Sequence, residues 1–211
     1  MRVSTLRDFG LDGSPGILYT EYDAGASYLV ERAASIRGRF ANLTTRILVA
    51  GCGTGALVNL LTEQGYTQVW GCDASTELIE YGRTQYPALS SRLLVANILN
   101  NSGNQLPSMT GVRRAAGLTG GSRFPLCITD DVLTVLSDAE VQTALTVLRA
   151  TASTLFHVLW PIDPDPNMAA QADQSLNWKT VPAGWQAVIG GGEWVMRADT
   201  GEVFGSNGEP I

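Results

Sequence analysis

Apolar and polar residues alternate along this chain in blocks that predict strands followed by helices. Short, almost wholly apolar runs predict strands at 46–50, 67–72, 92–97, 124–129 and 154–160. Apolar residues at helical spacing predict helices at 21–37, 55–64, 75–84, near 105–117 and at 138–151. Strands that are apolar on both sides need cover on both faces. The pattern therefore predicts a three-layer α/β fold with a mostly parallel sheet.

The pattern changes after Trp160. Three prolines within residues 161–167 predict a loop. Residues 193–205 predict a hairpin that turns at 199–201, so we expect antiparallel strands at one edge of the sheet. The stretch 166–192 shows no clear period and is predicted as loop with some helix.

Composition fits one domain, because 211 residues with 45% hydrophobic content can bury a core. No apolar run approaches the ~20 residues of a membrane span, and the first residues lack the apolar stretch of a secretion signal. Cys52, Cys72 and Cys127 have neither metal-ligand spacing nor a disulfide pattern. We interpret them as buried free thiols and expect a cytoplasmic protein.

The net charge of −6, from 14 Lys+Arg against 20 Asp+Glu, bears on partners. Binding to a nucleic-acid duplex needs clustered basic side chains that neutralise phosphates. Here the basic cluster is Arg113 and Arg114, with Arg123 nearby. The net charge argues against binding to long nucleic acid. A small local patch of basic side chains that binds phosphates remains an alternative.

Three glycines, Gly51, Gly53 and Gly55, follow the first predicted strand directly. Without Cβ atoms a backbone can come close to a ligand, and the next helix presents free N–H groups. Asp73 ends the second predicted strand, 18 residues after Gly55, where an acid can accept hydrogen bonds from both hydroxyls of a ribose. Together the turn and the acid predict a site for a nucleoside-containing cofactor.

Two alternatives stay open at this point. The glycines can serve only the close packing of strand against helix, as they also do in dinucleotide-binding folds. Read as Gly51-x-Gly53-x-x-Ala56, the turn also satisfies the dinucleotide pattern, so spacing alone does not exclude NAD.

The residues "ILVAGCGTG" and "VWGCDAS" closely resemble the first two motifs of class I S-adenosylmethionine-dependent methyltransferases. The resemblance implies a Rossmann-like methyltransferase fold with S-adenosylmethionine as cofactor. It also implies that the cofactor lies against residues of the two motifs, namely Gly51, Cys52, Gly53, Thr54, Gly55, Asp73 and Ala74.

Weaker similarities follow in the expected order, over about residues 20–160. "LLVANIL" resembles the third-strand motif and implies that Asn97 and Ile98 lie at the adenine, where an amide oxygen can accept a hydrogen bond. "LCITDDVLTVLSDAEV" resembles the fourth-strand motif and implies cofactor contacts at Thr129 and Asp130. The N-terminal helix covers the cofactor in relatives, which implies a role for Tyr22.

The chain also departs from the family pattern. Where relatives have Glu-His after the fourth strand, it has Thr134 and Val135, so no general base is implied there. Asp130 is the one candidate catalytic residue, facing either the ammonium group of the cofactor or the substrate. Asp131 can instead cap the helix that follows. The motifs of amino-directed and cytosine-directed nucleic-acid methyltransferases are absent from the sequence.

Several further residues have both a functional and a structural interpretation. His157 lies among apolar neighbours in a predicted strand, which favours a packed, hydrogen-bonded histidine over a catalytic one. Asp163 and Asp165 are interpreted as turn residues, and Tyr19 either packs in the core or faces the cofactor. Trp178 and Trp185 either line a substrate pocket or stabilise an irregular lobe.

The sequence as a whole predicts methyl transfer from S-adenosylmethionine to a small molecule or a protein side chain. The alternative is a non-catalytic cofactor-binding or assembly protein with the same fold, and an NAD-linked oxidoreductase ranks third. We expect one domain over 1–211, with an N-terminal helical lid at 1–40, a cofactor-binding core at 41–160 and a substrate-side lobe with edge strands at 161–211.

Overall fold

A computed structural model of the chain describes residues 27–103, 106–136, 138–159, 190, 192–197, 201–205 and 209. Its strands form one sheet of seven in the order β3-β2-β1-β4-β5-β6-β7. The strands are β1 (Ile47–Ala50), β2 (Val69–Asp73), β3 (Leu93–Val95), β4 (Phe124–Asp130), β5 (Ala152–Leu159), β6 (Glu193–Arg197) and β7 (Val203–Gly205). All neighbours pair in parallel except β6 and β7, which are antiparallel, so the predicted sheet and its edge hairpin are confirmed.

Five α-helices connect the strands of the described chain. They are α1 (Ser27–Arg39), α2 (Ala56–Glu63), α3 (Thr76–Gln85), α4 (Met109–Ala115) and α5 (Asp138–Thr151). Two short 3₁₀ helices, Pro87–Arg92 and Val132–Val135, were not predicted from the sequence. Within the described ranges, no helix has both the length and the apolar character needed to cross a membrane.

The start of α4 corrects one predicted boundary. The sequence placed this helix near 105–117, but it begins at Met109. Ser108 lies in the extended region, and its hydroxyl oxygen accepts a hydrogen bond from Gly111 N at 3.0 Å. Such an N-cap fixes where the helical hydrogen bonds begin, so the helix is four residues shorter at its start than expected.

The helices cover the sheet on both faces and create two apolar cores. On one face, Met109 of α4 and Leu148 of α5 pack against Leu48 and Cys127 of the sheet. On the other, α1, α2 and α3 pack against Ile47 and Val49, which lie on the opposite side of the same strand. Strand β1 is therefore buried on both sides, as its unbroken apolar run predicted.

The strand order reverses between β1 and β4. From β1 the chain moves outward through β2 to β3, and from β4 it moves the other way through β5 to β6. Ala50, the last residue of β1, pairs with Cys72 on one side and Thr129 on the other. In open parallel sheets the ligand crevice lies beyond the carboxyl ends of the strands at this reversal.

Candidate functional site

The glycine turn leaves β1 at the reversal and is held by backbone groups of β2. Gly51 N and Cys52 N both donate to the Cys72 carbonyl, at 2.8 and 2.9 Å. Gly51, Gly53 and Gly55 have φ angles of 73°, 55° and 91°, a region that side chains rarely adopt. The turn is thus a rigid backbone loop at the carboxyl edge, as the sequence predicted.

At two of the three glycines, side chains of the protein itself lie where a Cβ would be. A Cβ on Gly51 would lie 2.4 Å from Val132 Cγ2, and one on Gly55 would lie 2.7 Å from Leu93 Cδ2. The packing explanation therefore applies to Gly51, whereas at Gly55 the end of the Leu93 side chain can change rotamer. Gly53 differs, because its N–H donates to Asp73 Oδ2 at 2.9 Å and ties the centre of the turn to the end of β2.

Asp73 is the last residue of β2 and lies beside the turn. Its Oδ2 accepts from Gly53 N, and its Oδ1 accepts from Ser75 N at 2.9 Å. Burial raises the pKa of Asp73 above its ordinary value, while backbone N–H donors at Ser75, Gly53 and Ala74 lower it in part. A carboxylate has about four lone-pair sites, so after these backbone donors an acceptor position remains on the group for a ribose hydroxyl.

Three further residues that were predicted to contact the cofactor, Ala74, Asn97 and Ile98, have different surroundings. Ala74 is exposed, and Ile98 is buried in the apolar core. Asn97 Oδ1 accepts from Leu99 N at 2.9 Å, which forms a local turn after β3. The adenine contact of Asn97 stays a prediction, because the amide oxygen has a second lone pair. Of the thiols, Cys52 is half-buried in the turn, and Cys72 and Cys127 are buried.

Asp130, at the end of β4, forms an ion pair with Arg32 of α1. The two side chains are 11% and 3% exposed, so the pair is nearly dry. Burial raises the pKa of Asp130 above its ordinary value, and the adjacent guanidinium lowers it only in part. Arg32 was not predicted as a site residue, because it lies 98 residues from its partner in the sequence. It also belongs to an amphipathic helix, in which polar residues are expected to face solvent. Its contact places α1 at the carboxyl edge.

Thr129 lies one residue earlier on β4 and is fully buried. Its hydroxyl lies 2.7 Å from Nδ1 of His157, the residue it faces on β5. The hydroxyl of Thr129 is thus engaged between β4 and β5, and its cofactor contact stays a prediction. His157 is also fully buried, and burial lowers its pKa to about 4. The packed, hydrogen-bonded interpretation of His157 is confirmed.

Other predicted residues lie outside the described ranges. They are Tyr19, Tyr22, Asp163, Asp165, Trp178 and Trp185. The predicted turn residues 199 and 200 lie outside them as well, whereas both strands of that hairpin are present.

A cavity of about 250 Å³ opens at the opposite, amino-terminal edge of the sheet, between the starts of β5 and β6. Its charged groups have partners within the protein: Arg149 donates twice to Glu193, at 2.6 and 3.0 Å. Burial alone would raise the pKa of Glu193, but hydrogen bonds from Arg149 and Gly190 lower it. Arg113 and Arg123 donate to carbonyls of Ala150 and Arg149 at the end of α5, so the basic cluster caps a helix.

Residues 48–108 match a family model described as a methyltransferase domain. The matched segment runs from β1 to the start of α4 and contains the glycine turn, Asp73 and Asn97. The match confirms the resemblance to class I S-adenosylmethionine-dependent methyltransferases, whose cofactor is S-adenosylmethionine. No curated protein sequence matches the chain.

Solved structures of methyltransferases are similar to the chain at low identity. A TehB-like S-adenosylmethionine-dependent methyltransferase from Corynebacterium glutamicum is 23% identical, with 64% of this chain and 62% of that one covered and a TM-score of 0.44. An S-adenosylmethionine-dependent methyltransferase from Clostridium acetobutylicum is 14% identical, with 63% and 48% covered and a TM-score of 0.45. An amino pentose methyltransferase from Micromonospora echinaspora is 19% identical, with 64% and 50% covered and a TM-score of 0.45. The similarity thus spans about half to three-fifths of these proteins.

Proposed function

We propose that this chain, which matches a methyltransferase-domain family model over residues 48–108, transfers a methyl group from S-adenosylmethionine to a small molecule or a protein side chain. The observation that carries the proposal is the joint placement of the glycine turn and Asp73 at the strand reversal, with one hydrogen bond from Gly53 N to Asp73 between them. Glycines used for packing alone would not require a carboxylate with free lone pairs beside them.

The chain's own residues have distinct parts in holding the cofactor. Asp73 accepts hydrogen bonds from the ribose, and Asn97 contacts the adenine. Backbone groups at Gly51, Cys52 and Gly53 border the amino-acid end. S-adenosylmethionine supplies a methyl group on a sulfonium carbon, which is open to in-line displacement. The protein's main task is then to orient the acceptor, and orientation can supply about 7–11 kcal/mol of a barrier.

The ion pair of Asp130 bears on the choice of acceptor. A general base typically contributes ~10²–10⁴-fold to a rate, but the carboxylate of Asp130 is engaged by Arg32. Thr134 and Val135 stand where relatives have Glu-His. We therefore favour an acceptor whose nucleophile is already deprotonated or only weakly acidic, or a base supplied by residues 161–211.

Charge favours a small molecule or a protein side chain over long nucleic acid. The chain carries a net charge of −6, and two of the three arginines of its basic cluster, Arg113 and Arg123, donate to the carboxyl end of α5. Duplex binding depends on basic groups that are free to neutralise phosphates. In this proposal residues 1–40 act as a lid and 161–211 as the acceptor-side lobe, and the contact of Arg32 with Asp130 supports the lid.

A second candidate is a non-catalytic protein that binds the cofactor without turnover. The pairing of Asp130 with Arg32 favours it, because this pairing occupies the one candidate catalytic residue. Incubation with methyl-labelled S-adenosylmethionine and a mixed cell extract separates the two. Transfer of label supports the enzyme, and binding without transfer supports the second candidate. A parallel calorimetric titration with NAD tests the oxidoreductase.

The experiment that tests the cofactor site is Gly53→Val, compared with Gly117→Val. Both glycines have positive φ, 55° and 73°, so both substitutions strain the backbone. Nothing lies within 4 Å of a Cβ on Gly117, which follows α4 and is remote from the turn. We expect both variants to melt lower and only Gly53→Val to lose S-adenosylmethionine binding. Wild-type affinity in folded Gly53→Val would refute the proposed site.

A further inference from the structure

Gly82 is a buried glycine in the interior of α3 that the cofactor motifs do not include. A glycine at such a position lowers helix stability relative to alanine, so its presence needs a structural reason. The reason lies in its neighbour. A Cβ on Gly82 would lie 1.9 Å from the carbonyl oxygen of Thr54 and 2.8 Å from the carbonyl carbon.

The atoms closest to a Cβ on Gly82 belong to the backbone and not to a flexible side chain. Around Gly55 and Gly71 a Cβ would first meet side chains, which can change rotamer. Around Gly82 it would meet the backbone of the glycine turn. A backbone carbonyl has no side-chain rotamers through which it can move aside, so a side chain at Gly82 must displace either α3 or the backbone of the turn.

The turn has little freedom to absorb such a push. Gly53 N, next to Thr54, is bound to Asp73 Oδ2 at 2.9 Å. Gly55 N, on the other side of Thr54, is bound to the Cys52 carbonyl at 2.9 Å. A displacement of Thr54 therefore passes directly into the residues that would border the cofactor.

Helix α3 is attached to the same site a second time, at its beginning. Ser75 N donates to Asp73 Oδ1, and the Ser75 hydroxyl oxygen accepts from Leu78 N at 3.2 Å as the N-cap of α3. Asp73 thus joins the first turn of α3 to Gly53, while Gly82 contacts Thr54 from the end of the second turn. The two attachments together fix the distance between the helix and the glycine turn.

We propose that Gly82 is a positioning residue of the cofactor site, which sets the place of the glycine turn through its backbone contact with Thr54. The inference rests on the proposed function, since it assigns Gly82 to the binding of S-adenosylmethionine. A merely structural glycine would affect stability alone.

The test compares Gly82→Ala with two controls. Leu148→Ala removes a fully buried side chain from α5 on the opposite face of the sheet and lowers stability without touching the turn. Gly38→Ala adds a Cβ in α1 where nothing lies within 4 Å. Each protein is titrated with S-adenosylmethionine in a calorimeter well below its melting temperature. Amide hydrogen exchange at Gly53 and Gly55 is followed without cofactor.

We expect Gly82→Ala to raise the Kd by about tenfold or more, as small misplacements of binding groups do, and to speed exchange at Gly53 and Gly55. Leu148→Ala and Gly38→Ala should keep the wild-type Kd and the wild-type exchange at the turn. Unchanged affinity and exchange in folded Gly82→Ala, or equal changes in Leu148→Ala, would overturn the inference.

Two further measurements distinguish a failure of the proposed function from a failure of the role proposed for Gly82. If wild-type protein does not bind S-adenosylmethionine, the proposed function fails, while the exchange data still decide whether Gly82 places the turn. If Gly82→Ala does not fold, even in the Gly38→Ala background, exchange in wild-type protein decides. A shared opening free energy for the Gly53 amide and the amides of α3 supports the coupling, and a separate, smaller value for Gly53 contradicts it.

Discussion

Two halves of the carboxyl edge are held together in different ways. In the turn half, residues 51–55 and 73–75, backbone N–H groups donate to the Cys72 carbonyl and to the single carboxylate of Asp73. The other half, called the paired half, consists of Arg32, Thr129, Asp130 and His157. Here side chains bind other side chains. Arg32 binds Asp130 and Thr129 binds His157, all of them buried or nearly so.

The two halves also differ in their relation to the family match. The family match covers residues 48–108, which includes the turn half and ends before β4. A site built from backbone groups needs only glycines and one acid at fixed spacing, so short motifs can reveal it. Side-chain pairs between distant elements, such as Arg32 with Asp130, leave no such local pattern.

The largest expected effect comes from the paired half. Arg32→Met leaves the carboxylate of Asp130 buried without its ion-pair partner, which typically costs about 3–5 kcal/mol of unfolding free energy. The control is Glu80→Gln, which removes the charge of an exposed ion pair with Arg83 at 2.6 Å, leaves the hydrogen bonds of Arg83 to the Ser90 and Leu93 carbonyls in place and should cost at most about 1 kcal/mol. Urea unfolding measures both variants. Equal losses would show that burial does not set this half apart.

Particular elements show how far sequence reasoning reached. Helix α5 was predicted at 138–151 and is observed as Asp138–Thr151, because its apolar spacing is regular. Asp73 was correctly placed at the end of a strand beside the turn. The partnership of Arg32 and Asp130 could not be predicted, because nothing local to either residue shows which elements the fold brings together. The packing of Val132 on Gly51 was hidden for the same reason.

The second-largest expected effect is a loss of cofactor affinity in the turn half. Asp73→Ala removes the acceptor for the ribose hydroxyls and should weaken S-adenosylmethionine binding by about 1–3 kcal/mol. Calorimetric titration of the folded variant measures the change. Glu77→Ala, a change of an exposed acid in the first turn of α3, should leave the affinity unchanged. Wild-type affinity in Asp73→Ala would remove this carboxylate from the site.

The pH dependence of stability reports on His157. Burial lowers its pKa to about 4. The negative charge of Glu193 raises this pKa and the positive charge of Arg149 lowers it, and both effects are smaller than that of burial. The unfolded chain, with a histidine pKa of ~6.5, binds the proton first as pH falls. His157 therefore stabilises the fold fully above pH ~6.5 and loses this contribution toward pH ~4.

From pH 7 to pH 5 the loss through His157 amounts to about 2 kcal/mol. Urea unfolding of wild-type protein and His157→Gln at both pH values isolates it, because Asp73 and Asp130 titrate in both proteins. The wild type should lose about 2 kcal/mol more than the variant over this range. Parallel slopes would mean that His157 is not a buried neutral imidazole.

The smallest effect sharpens the contrast between backbone and side-chain attachment. Ser75→Ala removes the N-cap of α3 and should cost about 1 kcal/mol of unfolding free energy. Ser108→Ala removes the equivalent cap of α4, where Gly111 N donates to the hydroxyl at 3.0 Å, and should cost about the same. Since Asp73 is bound by the backbone N–H of Ser75 and not by its hydroxyl, Ser75→Ala should retain wild-type S-adenosylmethionine affinity. Thermal melting and titration on the same preparations check both statements. An affinity loss in Ser75→Ala as large as in Asp73→Ala would show that side chains, and not only backbone groups, hold the turn half in place.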